Sequence, residues 1–77
     1  MKPDERLDLR GVIEPCCFLS CKATLASMRP GTVLEILVKD PETVMDLLTI
    51  LERSGEIVLG SERQGDHYRL LVRKRSD

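Results

Sequence analysis

The stretch TVLEILVKDPE, residues 32–42, holds the clearest strand and the clearest helix start of this 77-residue chain. Its first part is apolar on both faces except at Glu35, and such a strand is typical of the middle of a sheet. Asp40 can then cap the free N–H groups of a helix, Pro41 suits the first helical turn, and Glu42 suits the positive end of the helix dipole. This stretch therefore predicts a central strand that leads directly into a helix.

Apolar residues at steps of three and four positions predict two helices, one before this strand and one after it. The first begins near Pro15 and ends at Pro30-Gly31, and the second ends at Gly55. The predicted apolar faces are Phe18, Cys21, Leu25 and Met28 in the first helix, and Val44, Leu47, Leu48 and Leu51 in the second.

Three further segments have the alternation or the β-branched content that is typical of strands. They are residues 7–9, a segment that opens with residues 57–59, and residues 68–73, and a turn at residues 64–66 joins the last two. The predicted order is β-α-β-α-β-β. Because one core requires both helices to cover the same face, the sequence predicts an α/β (α+β) two-layer sandwich with a four-stranded mixed sheet. We expect a single domain at residues 1–77, with an ordered core at about residues 6–75.

The composition restricts the possible partners. The chain has 42% hydrophobic residues, 32% charged residues and a net charge of −1. These values are typical of a globular protein and give no overall attraction to nucleic acid or anionic lipid. The longest uncharged run, residues 15–21, is much shorter than the ~20 residues that cross a bilayer, and the charged N-terminus precedes no signal-peptide core. We therefore expect a cytoplasmic protein without a membrane partner.

Several short stretches, in their order and spacing, resemble the TusA/SirA-like (YedF-type) sulfur-carrier proteins. The resemblance covers nearly the whole chain and implies the same β-α-β-α-β-β sandwich. The matching positions are residues 7–11 (LDLRG), Pro15, residues 29–31 (RPG), residues 33–36 (VLEI), Asp40-Pro41, Asp46 and Gly55.

The signature of that family is Cys-Pro-x-Pro at the start of the first helix. The resemblance implies that its cysteine carries a persulfide, which is passed between sulfurtransferase partners. Aligned without gaps, the signature falls on Glu14-Pro15-Cys16-Cys17. Pro15 matches, whereas Glu14 occupies the position of the sulfur-carrying cysteine and Cys17 that of the second proline. Because a carboxylate cannot hold a persulfide, the assignment does not transfer to Glu14.

Cys16 and Cys17 are the candidate reactive residues. Both would lie in the first helical turn, where unpaired N–H groups and the dipole stabilise a thiolate, although a nearby Glu14 carboxylate acts against this. Successive helical residues are about 100° apart, so the two side chains cannot both face the core. We expect Cys21 to be buried, Cys17 to be partly buried, and Cys16 to be the first reactive candidate. The alternative is that these cysteines serve as small apolar residues.

The sequence predicts neither a metal site nor a bound cofactor. Cys16, Cys17, Cys21 and His67 could supply four zinc ligands only if the fold brought His67 to the start of the first helix. The usual Cys-x-x-Cys spacing is absent.

Basic residues recur near the C-terminus. His67, Arg69, Arg73 and Arg75 occupy alternating positions, and on an open sheet face they would form a basic stripe that could bind RNA or an acidic protein. No aromatic residue on that stripe is available for base stacking, and a solvated sheet face is the alternative.

Three functions remain open at this point. The first is a sulfur-carrier or thiol redox protein that acts through Cys16 or Cys17 with partner proteins, namely a cysteine desulfurase or a sulfur acceptor. It would be a sulfurtransferase-like carrier more than an enzyme, because so small a sandwich offers little concavity to enclose a substrate. The second is a non-catalytic interaction or regulatory module, in which Glu14 marks the lost cysteine. The third is a weak RNA-binding domain that uses the basic stripe.

Overall fold

The computed structural model describes residues 2–12 and 16–75. Its elements follow the predicted order, and its architecture is the predicted two-layer sandwich of two helices on a four-stranded mixed sheet. The elements are β1 (Glu5–Asp8), α1 (Cys16–Ser27), β2 (Val33–Val38), α2 (Pro41–Arg53), β3 (Ile57–Gln64) and β4 (His67–Arg73).

The strands lie in the order β1-β2-β4-β3. β1 is parallel to β2, whereas β4 is antiparallel to both β2 and β3. The carboxyl ends of β1 and β2 therefore meet at one end of the sheet, and each is followed by the segment that leads into a helix. β3 and β4 form a hairpin with an irregularity between Val58 and Gly60. This topology leaves β1 and β3 as edge strands.

The core lies between the sheet and both helices. On β2, Leu34, Ile36 and Val38 are at most 2% exposed and belong to a cluster with residues of α1, α2 and β4. Because side chains alternate along a strand, Glu35 lies on the opposite face. The cluster consists of Leu9, Cys17, Cys21, Leu25, Met28, Leu34, Ile36, Val38, Val44, Leu47, Leu51, Leu70 and Val72.

Side chains form hydrogen bonds with backbone groups at the start of α2 and at the C-terminal ends of both helices. Asp40 caps α2, as predicted, because its carboxylate accepts the backbone N–H of Glu42 at 3.0 Å. At the other end of the sheet, the two residues that follow β4 reach both helix C-termini. Lys74 Nζ donates to the carbonyl of Leu25 at 2.6 Å, and Arg75 Nη1 donates to the carbonyl of Ser54 at 2.8 Å. Both cations lie where the helix dipole favours positive charge.

Candidate functional site

The candidate site lies at the start of α1, just beyond the carboxyl end of β1. Cys16 is the first residue of α1, and the described residues before it end at Val12. Glu14 and Pro15, which fall on the motif of the resembled family, lie outside the described residues.

The three cysteines of α1 differ sharply in exposure. Cys16 is exposed, whereas Cys17 and Cys21 are each 1% exposed and belong to the core. All three are thiols. A reagent in solvent therefore reaches Cys16 but neither of the other two sulfur atoms.

Cys17 is more deeply buried than the partial burial that its position on the helix predicts. Its thiol donates to the backbone carbonyl of Val12 at 3.1 Å. Val12 thus contacts Cys17 from outside the helix, which the spacing of apolar residues within α1 could not indicate. Cys21 is buried, as its place on the apolar stripe predicts.

A shallow depression of about 360 Å³ lies between the ends of β1 and β2 and the start of α2. Its apolar part is formed by Leu9, Val12 and Val38, and its polar part includes Lys39 and Thr43. Ligands of α/β folds commonly bind beyond the carboxyl ends of parallel strands, where this depression lies. Val12 is 39% exposed, and its backbone carbonyl accepts the thiol of Cys17, the neighbour of Cys16.

A tight turn at residues 8–11 follows β1. Arg10 donates from Nε and Nη2 to the Asp8 carboxylate at 2.9 and 2.8 Å, and its backbone N–H donates to the same group at 3.0 Å. The side-chain and backbone hydrogen bonds from Arg10 lower the pKa of Asp8 to about 2. Gly11 then adopts a φ of 98°, which a residue with a side chain rarely does. These features fix the direction of the chain after β1.

The open face of the sheet carries a charge network that no local sequence pattern predicts. Glu35 is only 3% exposed and accepts hydrogen bonds from both Arg6 and Arg69. Arg69 also lies 3.4 Å from the carboxylate of Glu62, so the network crosses all four strands. Hydrogen bonds from Arg69 and then Arg6 outweigh burial and lower the pKa of Glu35. In the sequence, this network is indicated only by Glu35, the single charged residue of the otherwise apolar strand β2.

The structure does not bring the three arginines of the predicted basic stripe together. Arg69 is neutralised by Glu35 and Glu62. Arg73 ends β4 on the same open face, whereas Arg75 lies beyond the strand and donates to the end of α2. The described part of the open face therefore has mixed charge rather than a continuous positive field.

Within residues 2–12 and 16–75, no group of three or more His, Cys, Asp or Glu side chains is placed to hold a metal ion. In the same residues, neither helix is long and apolar enough to cross a membrane.

Comparison with known proteins gives consistent matches over almost the whole chain. The family model described as sulfurtransferase TusA matches residues 5–74. The sulfur carrier protein TusA of Allochromatium vinosum is 31% identical over 71 residues, which cover 92% of this chain and 93% of the relative. The crystal structure of the SirA-like protein of Desulfitobacterium hafniense superposes with a TM-score of 0.76 at 20% identity, and the match covers 94% of this chain and 99% of that one. This last likeness concerns the fold alone.

Proposed function

The chain belongs to the TusA family of sulfur carriers, and on that premise we propose that it carries sulfur as a persulfide on Cys16. The observation that carries the proposal is the exposure of Cys16 at the first position of α1, next to two cysteines that are both 1% exposed. Unpaired N–H groups and the positive end of the dipole at a helix start stabilise the thiolate, which is the reactive form of cysteine.

The sulfur transfer needs no oxidant or reductant. The Cys16 thiolate attacks the outer sulfur of a persulfide on a partner protein, a new S–S bond forms at Cys16, and the partner's S–S bond breaks. The partner leaves as a thiolate, so atoms and electrons balance. Passing the sulfur onward repeats the step, with an acceptor thiolate that attacks the outer sulfur on Cys16.

Partner proteins supply and accept the sulfur in this proposal. A cysteine desulfurase is the donor that the family resemblance implies, and the acceptor is a further protein of the relay. The open depression beside Leu9 and Val12 is suited to a protein surface rather than to a small enclosed substrate. A reducing compartment such as the cytoplasm would keep Cys16 available as a thiol.

The test is intact-mass spectrometry after incubation with a cysteine desulfurase and cysteine. The wild-type protein is expected to gain the mass of one sulfur atom, and Cys16→Ser is expected to gain none. Cys17→Ser is the matched control because its hydroxyl can retain the hydrogen bond to the Val12 carbonyl, and it is expected to gain sulfur like the wild type. Sulfur gain by Cys16→Ser would overturn the assignment to Cys16.

A second candidate function is a docking module that has lost sulfur transfer. It is favoured by one observation, that Glu14 stands where the family motif has its cysteine. Absence of any sulfur gain in the wild type, together with a gain in Glu14→Cys, would favour this function. Equal sulfur gain in the wild type and in Glu14→Cys would reject it.

A further inference from the structure

We propose that the cavity between α1, the end of α2 and the segment after β4 binds a small organic anion, namely a carboxylate with a short apolar chain. This cavity, called the helix-end cavity below, has a volume of about 240 Å³. It lies where β4 ends and β2 begins, so it is separate from the depression beyond the carboxyl ends of β1 and β2. The inference does not depend on whether Cys16 carries sulfur.

The first supporting observation is an apolar lining that is bounded on three sides. Phe18 and Leu25 line the cavity from α1, and Leu51 lines it from α2. Residues 74 and 75, which follow β4, bound the third side. Leu25 and Leu51 are core residues and Phe18 packs against the core, so these apolar walls are held by the fold itself. A preformed apolar cavity favours a ligand with an apolar part.

The second observation is the charge of the residues that line the cavity. They include three cations, Lys22, Lys74 and Arg75. Among the described lining residues Glu56 is the one carboxylate, and it accepts the backbone N–H of Arg75 at 2.8 Å. Three cations against one carboxylate leave a surplus of two positive charges, in a chain whose net charge is −1. The lining is therefore complementary to an anion.

The helix ends do not cancel this surplus. Lys74 Nζ donates to the carbonyl of Leu25, and Arg75 Nη1 donates to the carbonyl of Ser54. Each helix end carries about half a negative charge, so these two cations more than balance both ends. Lys22 is exposed and takes part in no ion pair within the described part of the chain. Its ammonium group can therefore pair with the carboxylate of a ligand.

The third observation is the fixed position of Arg75. Gly55 has a φ of 85°, and a Cβ atom at this position would lie only 3.0 Å from Nη1 of Arg75. The guanidinium thus lies directly over Gly55 and is also bound to the carbonyl of Ser54. A cation that is already ordered loses less conformational entropy when an anion binds.

The size and the chemistry of the cavity define the ligand. Its volume equals that of about eight water molecules in the liquid, which suits an anion the size of hexanoate. The carboxylate would lie near Lys22 and Arg75, and the chain would lie along Leu25 and Leu51. The carboxylate of a protein side chain has only one or two methylene groups and would leave most of the apolar lining uncovered. A free small molecule therefore fits the cavity better than a partner protein.

The test is an NMR titration of the ¹⁵N-labelled full chain with sodium hexanoate at constant ionic strength. We expect a dissociation constant in the millimolar range and saturable shift changes at the amides of residues 22–26, 54–56 and 74–75. Acetate has the charge without the chain, and hexylammonium has the chain with the opposite charge. Both are expected to bind about tenfold more weakly. Binding of either control as tight as that of hexanoate, or shift changes that avoid these residues, would overturn the proposal.

Two variants with the same charge change sharpen the test. Lys22→Glu replaces an attraction by a repulsion and is expected to weaken hexanoate binding about fivefold, in line with the small energy of surface ion pairs. Lys39→Glu is the control, because Lys39 follows β2 at the opposite end of the sheet and does not line the cavity. It is expected to bind hexanoate like the wild type. Both lysines are exposed, so both variants are expected to keep the fold. Equal affinity of the two variants would overturn the assignment of an anion to this cavity.

Discussion

At the scale of single residues, the three cysteines of α1 have identical side chains but differ in their exposure to solvent. Cys17 and Cys21 are four positions apart, so they share the buried side of α1, while Cys16 is rotated by about 100° from Cys17 and faces solvent. The position of Cys21 follows from the apolar stripe in the sequence. The full burial of Cys17 does not, because it depends on the Val12 carbonyl, which belongs to the segment before the helix.

This difference predicts opposite behaviour for substitutions of two cysteines. Cys21→Ala removes a sulfur atom from the packed core and is expected to lower the free energy of unfolding by about 1 kcal/mol. Because the thiol of Cys21 is sealed from solvent, sulfur gain by the folded protein is expected to be unchanged. Urea denaturation and intact-mass spectrometry measure the two effects.

Cys16→Ala is the control for that experiment. Its side chain is exposed, so its free energy of unfolding is expected to stay within about 0.5 kcal/mol of the wild type, while its sulfur gain is lost. A large loss of stability in Cys16→Ala, or of sulfur gain in Cys21→Ala, would show that the two roles are reversed.

At the scale of elements, the sequence predicts α2 more fully than α1. α2 has a cap, a proline in its first turn and a clear division between apolar and polar faces, and each of these is local in the sequence. The outward side of α1 instead exposes Leu19, at 56%, with Ala23 and Ala26 below it. The apolar stripe predicts the burial of Cys21 and Leu25, whereas the contact with Val12 that accompanies the burial of Cys17 is not contained in the local pattern of α1.

The cap of α2 gives a prediction at this scale. Asp40→Ala removes the acceptor for the N–H of Glu42 and is expected to lower the free energy of unfolding by about 1 kcal/mol. Asp46→Ala removes the same charge without removing a cap, and it relieves the repulsion with Glu42, so it is expected to be neutral or slightly stabilising. Thermal unfolding followed by circular dichroism distinguishes the two variants, and equal melting temperatures would contradict the assigned role of Asp40.

At the scale of the whole molecule, the four strands are joined on the open face by charge rather than by a second apolar layer. Glu35 lies in the middle of this network and receives Arg6 from β1 and Arg69 from β4. These partners are 29 and 34 residues away from it, so no local pattern could pair them. In the sequence, Glu35 is the only charged residue of an otherwise apolar strand. A buried carboxylate needs charged or hydrogen-bonding partners, and the fold provides them as Arg6 and Arg69.

The network makes stability depend on pH in a way that Glu35→Gln should remove. The pKa of Glu35 is lowered in the folded protein from its ordinary value of 4.5, so its carboxylate stabilises the fold above about pH 5, and this contribution is lost as the pH falls through the folded pKa. Near pH 7, Glu35→Gln is expected to lower the free energy of unfolding by about 2 kcal/mol, since hydrogen bonds to a charged group are lost.

As the pH falls through the lowered pKa of Glu35, protonation makes this residue resemble the neutral amide, so the difference in unfolding free energy between wild type and variant is expected to shrink toward zero. Asp8, whose pKa is about 2, titrates in both proteins and cancels in the comparison. Glu62→Gln is the control, because that side chain is 58% exposed and its contact with Arg69 is worth little. Urea denaturation at a series of pH values measures all three proteins. A difference between wild type and Glu35→Gln that is the same at pH 7 and at low pH would mean that the packing of residue 35, and not its charge, joins the strands.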